Sequence, residues 1–110
     1  MAKNLSMSLL LDFYGEVLSE KQREAMELFY NGDLSLSEIA EETGLTRQGV
    51  RDRIVKGERI VSELEEKLGL AGRFGEVTKQ ISYLVGRLEE LKEQGIDVED
   101  MIAVAKKLDT

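Results

Sequence analysis

The sequence predicts an all-α protein: a helix-turn-helix module with an extended second motif helix and a C-terminal helical hairpin. Three observations carry that prediction. The stretch from Ser35 to Ile54, SLSEIAEETGLTRQGVRDRI, places two helix caps, a small residue, a turn glycine and an apolar pair in one register. Proline is absent while 34% of residues are charged, which favours long uninterrupted helices. Apolar residues recur three and four apart through the other long segments, the spacing that lines one face of a helix.

The elements follow in order. Leu5 to Leu18 carries Leu10, Phe13, Tyr14 and Val17 at helical spacing, and Gly15 is expected to stop or kink this first helix. Ser19 caps a second helix, with Gln22 reaching back to complete a capping box. Met26, Leu28, Phe29 and Tyr30 give it a wide apolar face, and Asn31-Gly32-Asp33 ends it in a turn. Ser35 and Glu38 form a second capping box, Ile39 and Ala40 face inward, and Ala40 lets another helix cross closely above it. Gly44 takes the left-handed turn conformation, Thr46 caps the next helix, and Val50 and Ile54 lock it against the previous one. This helix is expected to run on through Ile60, Val61 and Leu64 to Leu68, with Gly57 either a mild penalty or a point of close helix contact. Gly69 to Gly75 reads as a flexible connector. A penultimate helix from about Glu76 to Gln94 carries Val77, Ile81, Leu84, Leu88 and Leu91. Gly95 closes it, and Asp97 caps a last helix whose buried face is Met101, Ile102, Val104, Ala105 and Leu108. The expected division is a helix-turn-helix domain over 1–68 and a helical extension over 69–110. The extension either packs on the first domain or forms a dimer contact.

Composition narrows the function classes. With no cysteine, neither a disulfide framework nor a thiolate metal site is available, and with no histidine the usual general base near neutral pH is missing. The apolar run Leu9–Leu11 is far shorter than a secretory core and meets Asp12, and no segment approaches membrane-spanning length. A cytoplasmic protein without cofactor or metal is expected. Carboxylates cluster at Glu41-Glu42, Glu65-Glu66, Glu89-Glu90 and Asp97–Asp100. Neighbouring acids on a helix diverge by about 100°, so these read as solvated faces rather than catalytic pairs. Glycines 69, 72 and 75 follow no strand and precede no P-loop lysine, which makes them a hinge rather than a phosphate loop. Phe13, Tyr14, Phe29 and Tyr30 could stack bases, but their place on apolar faces favours core packing. An enzyme is not expected.

Net charge is −7, which opposes nucleic acid, yet its distribution leaves one basic stretch. From Arg47 to Lys56 stand Arg47, Arg51, Arg53 and Lys56 against Asp52 alone, a local net of +3. If Val50 and Ile54 face the core, the opposite side of the helix carries Gln48, Asp52, Val55 and Arg59, flanked by Arg51 and Lys56. Arg47 and Gln48 lie at the helix start, where a groove-bound helix first reaches base edges, Arg suiting guanine and Gln adenine. Lys56 and Arg59 lie further along and are placed for phosphates, and Arg51 and Arg53 complete the candidate nucleic-acid-binding set. Asp52 opposes phosphate and either accepts from a cytosine amino group or pairs with Lys56 four residues on.

Leu11-Asp12-Phe13-Tyr14, Leu18-Ser19 with Lys21-Gln22-Arg23, and Glu27-Leu28-Phe29-Tyr30 resemble the YlxM family of small bacterial proteins. Ser35-Leu36-Ser37-Glu38-Ile39-Ala40 and Thr46-Arg47-Gln48-Gly49-Val50 continue the likeness, which spans roughly residues 5–74. Gly49 stands where the family commonly has alanine, and Arg51 where an aromatic is frequent. The resemblance implies a fold similar to region 4 of bacterial sigma factors, and a role as an accessory or regulatory protein of the signal recognition particle pathway. It further implies binding to the particle's RNA or its protein GTPase. The motif alone implies a different reading, a DNA-binding transcription regulator. Because two short C-terminal helices cannot bury the Val77–Leu91 stripe alone, either folding back on the extended motif helix or homodimerisation would complete it.

Overall fold

The computed structural model describes residues 5–108, and those residues contain only helices and turns. In chain order they are α1 (Leu5–Tyr14), a 3₁₀ turn (Gly15–Val17), α2 (Glu20–Met26) running into a π turn (Glu27–Asn31), α3 (Leu36–Thr43), α4 (Arg47–Leu68), α5 (Leu70–Glu93) and α6 (Glu99–Leu108). The chain separates into two compact units, the first ending at Ala71 and the second beginning at Gly72.

In the first unit the local signals operate as expected. Gly15 ends α1 in a single tight turn. Ser19 Oγ accepts the Gln22 N–H while the Gln22 side chain accepts the Ser19 N–H, and Ser35 with Glu38 repeats the arrangement. Asn31-Gly32-Asp33 ends α2 in a turn, as expected: the amides of Gly32 and Leu34 reach back to Glu27 and Leu28, and Asp33 takes the left-handed conformation (φ 57°). Aspartate tolerates that conformation better than most residues.

Four helices surround one core. Leu11 from α1, Met26 from α2, Ile39 from α3, and Val50, Ile54 and Val61 from α4 are almost wholly buried. Tyr14 and Phe29 join them, and Phe13 and Tyr30 pack partly buried against the cluster, so the aromatics are core residues and not base-stacking platforms. Gly57 is the point of close helix contact: the Met26 side chain of α2 lies over it, and a Cβ there would stand 2.3 Å from Met26 Sδ, so a larger residue would require that side chain to shift.

The flexible connector expected over 69–75 is not found. Gly69 alone reverses the chain, in the left-handed conformation (φ 63°), and α5 begins at the next residue. Tertiary caps explain this. Tyr14 Oη accepts the Leu70 N–H (3.2 Å), and Glu65 Oε1 accepts the Ala71 N–H (3.0 Å). Tyr14 also donates to Glu65 Oε1 at 2.6 Å. The first orphan amides of α5 are thus satisfied by side chains from α1 and α4, and the Glu65 carboxylate faces the positive end of the new helix. That outweighs the roughly 1 kcal/mol that each of Gly72 and Gly75 costs inside a helix.

In the second unit, α5 closes at Gln94-Gly95 and α6 follows. Asp97 Oδ1 accepts the Glu99 N–H at 3.4 Å, while the hydrogen-bond ladder of α6 starts from the Val98 carbonyl, so Asp97 caps from one residue further out than expected. Ile81, Val98, Ile102 and Ala105 are buried, whereas Met101, Val104 and Leu108, expected on the buried face, are exposed. Lys92 pairs with Glu99 (2.5 Å) and Lys106 with Glu89 (3.9 Å), both between α5 and α6. No helix among the described residues is long and apolar enough to cross a membrane.

Candidate nucleic-acid interface

The turn that presents α4 is built from three adjacent residues. Gly44 adopts the left-handed conformation (φ 75°), which turns the chain while its own amide and that of Leu45 close onto the Ala40 carbonyl. Thr46 Oγ1 then accepts the Gly49 N–H at 3.0 Å and starts α4. A Cβ at position 49 would stand 3.1 Å from that same oxygen, a tight contact that a small adjustment of the cap would relieve. Ile39 and Ala40 of α3 are buried with Val50 and Ile54 of α4, which fixes the rotation of α4 and decides which side chains point outward.

Those outward residues are Arg47, Gln48, Arg51, Asp52, Val55, Lys56 and Arg59, with Arg53 half-buried. Among the described residues none of Arg47, Arg51, Arg53, Lys56 and Arg59 forms an ion pair. Asp52 does not pair with Lys56; its Oδ1 accepts from Gln48 Nε2 at 2.9 Å. The carboxylate nearest the cations is thereby held toward the helix start by the one amide side chain there. Glu58, the other acid in this half of the helix, accepts from the Tyr30 hydroxyl, and burial together with that hydrogen bond pushes the Tyr30 phenol far up.

α4 is electrically divided along its length. Arg47 to Arg59 holds five basic and two acidic side chains, a net of +3, whereas Ile60 to Leu68 holds three glutamates and one lysine, a net of −2. The helix dipole adds positive potential at the Arg47 end. Only the Arg47 half of α4 carries net positive charge.

The structure regroups the predicted cations. Arg53 and Lys56 line an open concavity of about 370 Å³ together with Gly49, Asp52 and, from the start of α2, Ser19, Lys21 and Gln22. Arg47 lines another, also of about 370 Å³, beside Asp33, Ser35 and Glu38 at the head of α3. Arg51 and Arg59 border neither. Lys21 was not legible as a site residue. It stands 32 positions before Arg53, and only the packing of α2 on α4 brings the two to the same depression. The paired-acid clusters resolve into separate contacts: Glu65 to Tyr14 and Ala71, Glu90 to Arg87, and Glu89 to Lys106.

A helix, a capped turn and a second helix docked on the first make the helix-turn-helix that the matching family is described by. The profile of the UPF0122 family, helix-turn-helix proteins described as YlxM / p13 like, matches residues 1–103. The chain belongs to that family. A UPF0122 protein of Halalkalibacterium halodurans is 41% identical over 108 residues, covering 98% of this chain and 95% of its own length. One from Acetivibrio thermocellus is 38% identical over 91% of this chain and 86% of its own. One from Bacillus cereus is 38% identical over 99% of both. The likeness therefore extends through the C-terminal helices as well as the motif.

Proposed function

We propose that this chain is a non-enzymatic helix-turn-helix protein that binds nucleic acid through the outer face of the first half of α4, as an accessory of the signal recognition particle pathway. The observation that carries the binding reading is the set of five cations on that half of α4, none of them in an ion pair among the described residues. Arg51, Arg53, Lys56 and Arg59 are the phosphate contacts, and Arg47 and Gln48 the residues nearest base edges. Lys21 extends the cationic surface from α2. The pathway assignment is supported by the family resemblance, with the particle's RNA and its GTPase as the partners it implies.

A second reading, a sequence-specific DNA regulator, is favoured by the exposure of Arg47 and Gln48 at the head of α4. A helix end fits the major groove of B-DNA, whereas the deep, narrow major groove of A-form RNA excludes it. DNA binding would use Arg47 and Gln48; RNA binding would rest on the phosphate contacts further along.

The test is a titration of the full chain against particle RNA, a random DNA pool and the particle GTPase at several salt concentrations. Nucleic-acid affinity should fall as salt rises, with a slope of roughly −0.9 per phosphate neutralised on duplex DNA. Replacing Arg47 and Arg51 by Ala should weaken nucleic-acid binding roughly 30-fold or more with circular dichroism unchanged. Unaltered affinity for both RNA and DNA removes α4 from the role. GTPase binding indifferent to salt and to these changes moves the function to a protein surface.

A further inference from the structure

The second unit carries a surface that the nucleic-acid reading does not use. Apolar residues recur along α5 at alternating steps of four and three, from Leu70 and Phe74 to Leu88 and Leu91. Their mean spacing of 3.5 residues is that of a seam between paired helices. α6 does not fill this seam. Ile81 is buried, but Val77 and Leu84 remain 39% and 52% exposed, and α6 turns a second apolar stripe outward through Met101, Val104 and Leu108. Leu84 and Leu88 join that stripe around an open groove of about 430 Å³ whose only charged lining residue is Asp100. Several large apolar side chains, most of them half or more exposed, thus gather along one groove of the second unit.

We infer that a second copy of this chain covers the groove, the two α5–α6 hairpins pairing antiparallel around a two-fold axis near Leu84 to make a four-helix bundle. Two features select a second copy. The α5 stripe is regular over the whole helix, so the surface meets its own complement when turned about an axis through its middle, as a two-fold interface requires. The charges on α5 agree with that pairing and oppose the parallel one. Leu70–Ile81 carries Arg73, Glu76 and Lys79, net +1, while Ser82–Glu93 carries Arg87, Glu89, Glu90, Lys92 and Glu93, net −1. Antiparallel helices set the positive half of each copy beside the negative half of the other.

Sedimentation of the full chain tests this. The mass should approach twice 12.4 kDa as concentration rises. Leu84→Glu or Val104→Glu should return it to one copy with helix content retained, because both side chains already face solvent in the single chain. The chain has no cysteine, so Leu84→Cys introduces a lone thiol that should cross-link two copies under mild oxidation, whereas Glu41→Cys on α3 should not. A mass of one copy at every concentration overturns the proposal. So does a dimer that survives Leu84→Glu. A single-copy chain that loses GTPase binding on Leu84→Glu assigns the groove to a foreign protein and overturns it equally.

Discussion

The two units solve the burial problem differently. In the first, four helices contribute to one closed cluster in which Met26, Ile39, Val50, Ile54 and Val61 have no exposure at all. Its boundary tyrosines, Tyr14 and Tyr30, each hold a glutamate. In the second, four apolar side chains are buried while Leu84, Met101, Val104 and Leu108 stay in solvent, and exposed ion pairs link the helices. A helix with regular apolar spacing buries only what its neighbours can cover; here the first unit has the neighbours and the second does not. The largest expected effect is on that contrast. Ile54→Ala should cost about 2–5 kcal/mol through lost burial and a cavity that the surrounding helices cannot fill. Val104→Ala, in chain dilute enough to be a single copy, should stay within about 0.5 kcal/mol. Urea unfolding followed by circular dichroism measures both. Comparable losses at the two positions would break the contrast.

Most of the first unit was legible because its signals are local. Ser19, Ser35 and Thr46 each bond an amide three residues on, and Gly44 turns the chain on its own; none needs a distant partner. Leu68 was readable as the end of α4 for the same reason. The corner after it was not. Three glycines within seven residues suggested a flexible connector, but Tyr14, more than fifty residues earlier, supplies the cap that lets α5 start at once. Among the candidate site residues, the outward set on α4 followed from helix periodicity once Val50 and Ile54 were placed inward. Long-range packing decided the rest: Lys21 joined Arg53 and Lys56, Arg47 fell beside Asp33 and Glu38, and Asp52 chose Gln48 over Lys56.

The tyrosine contacts sharpen the comparison through pH. Burial and a glutamate partner push the phenols of both Tyr14 and Tyr30 above their ordinary value of 10. Below pH 10 the phenols are protonated in folded and unfolded chain alike, and the hydrogen bonds to Glu65 and Glu58 are intact. Above it the unfolded phenols ionise first while the folded ones keep their protons, so stability falls as pH rises. The first unit should therefore lose stability from about pH 10 upward. Tyr14→Phe and Tyr30→Phe together should flatten that decline. At neutral pH, Tyr14→Phe should also speed exchange of the Leu70 amide roughly tenfold, since that N–H loses its acceptor. An alkaline limb that persists in the double variant would mean that other groups govern it.

The smallest effect belongs to the ion pairs of the second unit. Lys92 Nζ and Glu99 Oε1 are 2.5 Å apart, and the hydrogen bond and charge of Glu99 raise the lysine's affinity for its proton. Both side chains are more than half exposed, so water and salt screen the attraction, and ordering two long side chains offsets much of what remains. Lys92→Met should accordingly lower the melting temperature by less than about 2 °C, and the difference should vanish in high salt. A larger loss would mean that this pair fixes the angle between α5 and α6. Substitution would then also disturb the groove formed by Leu84 and Val104, and with it any association of two copies, making a surface contact the organiser of the second unit in the way the buried core organises the first.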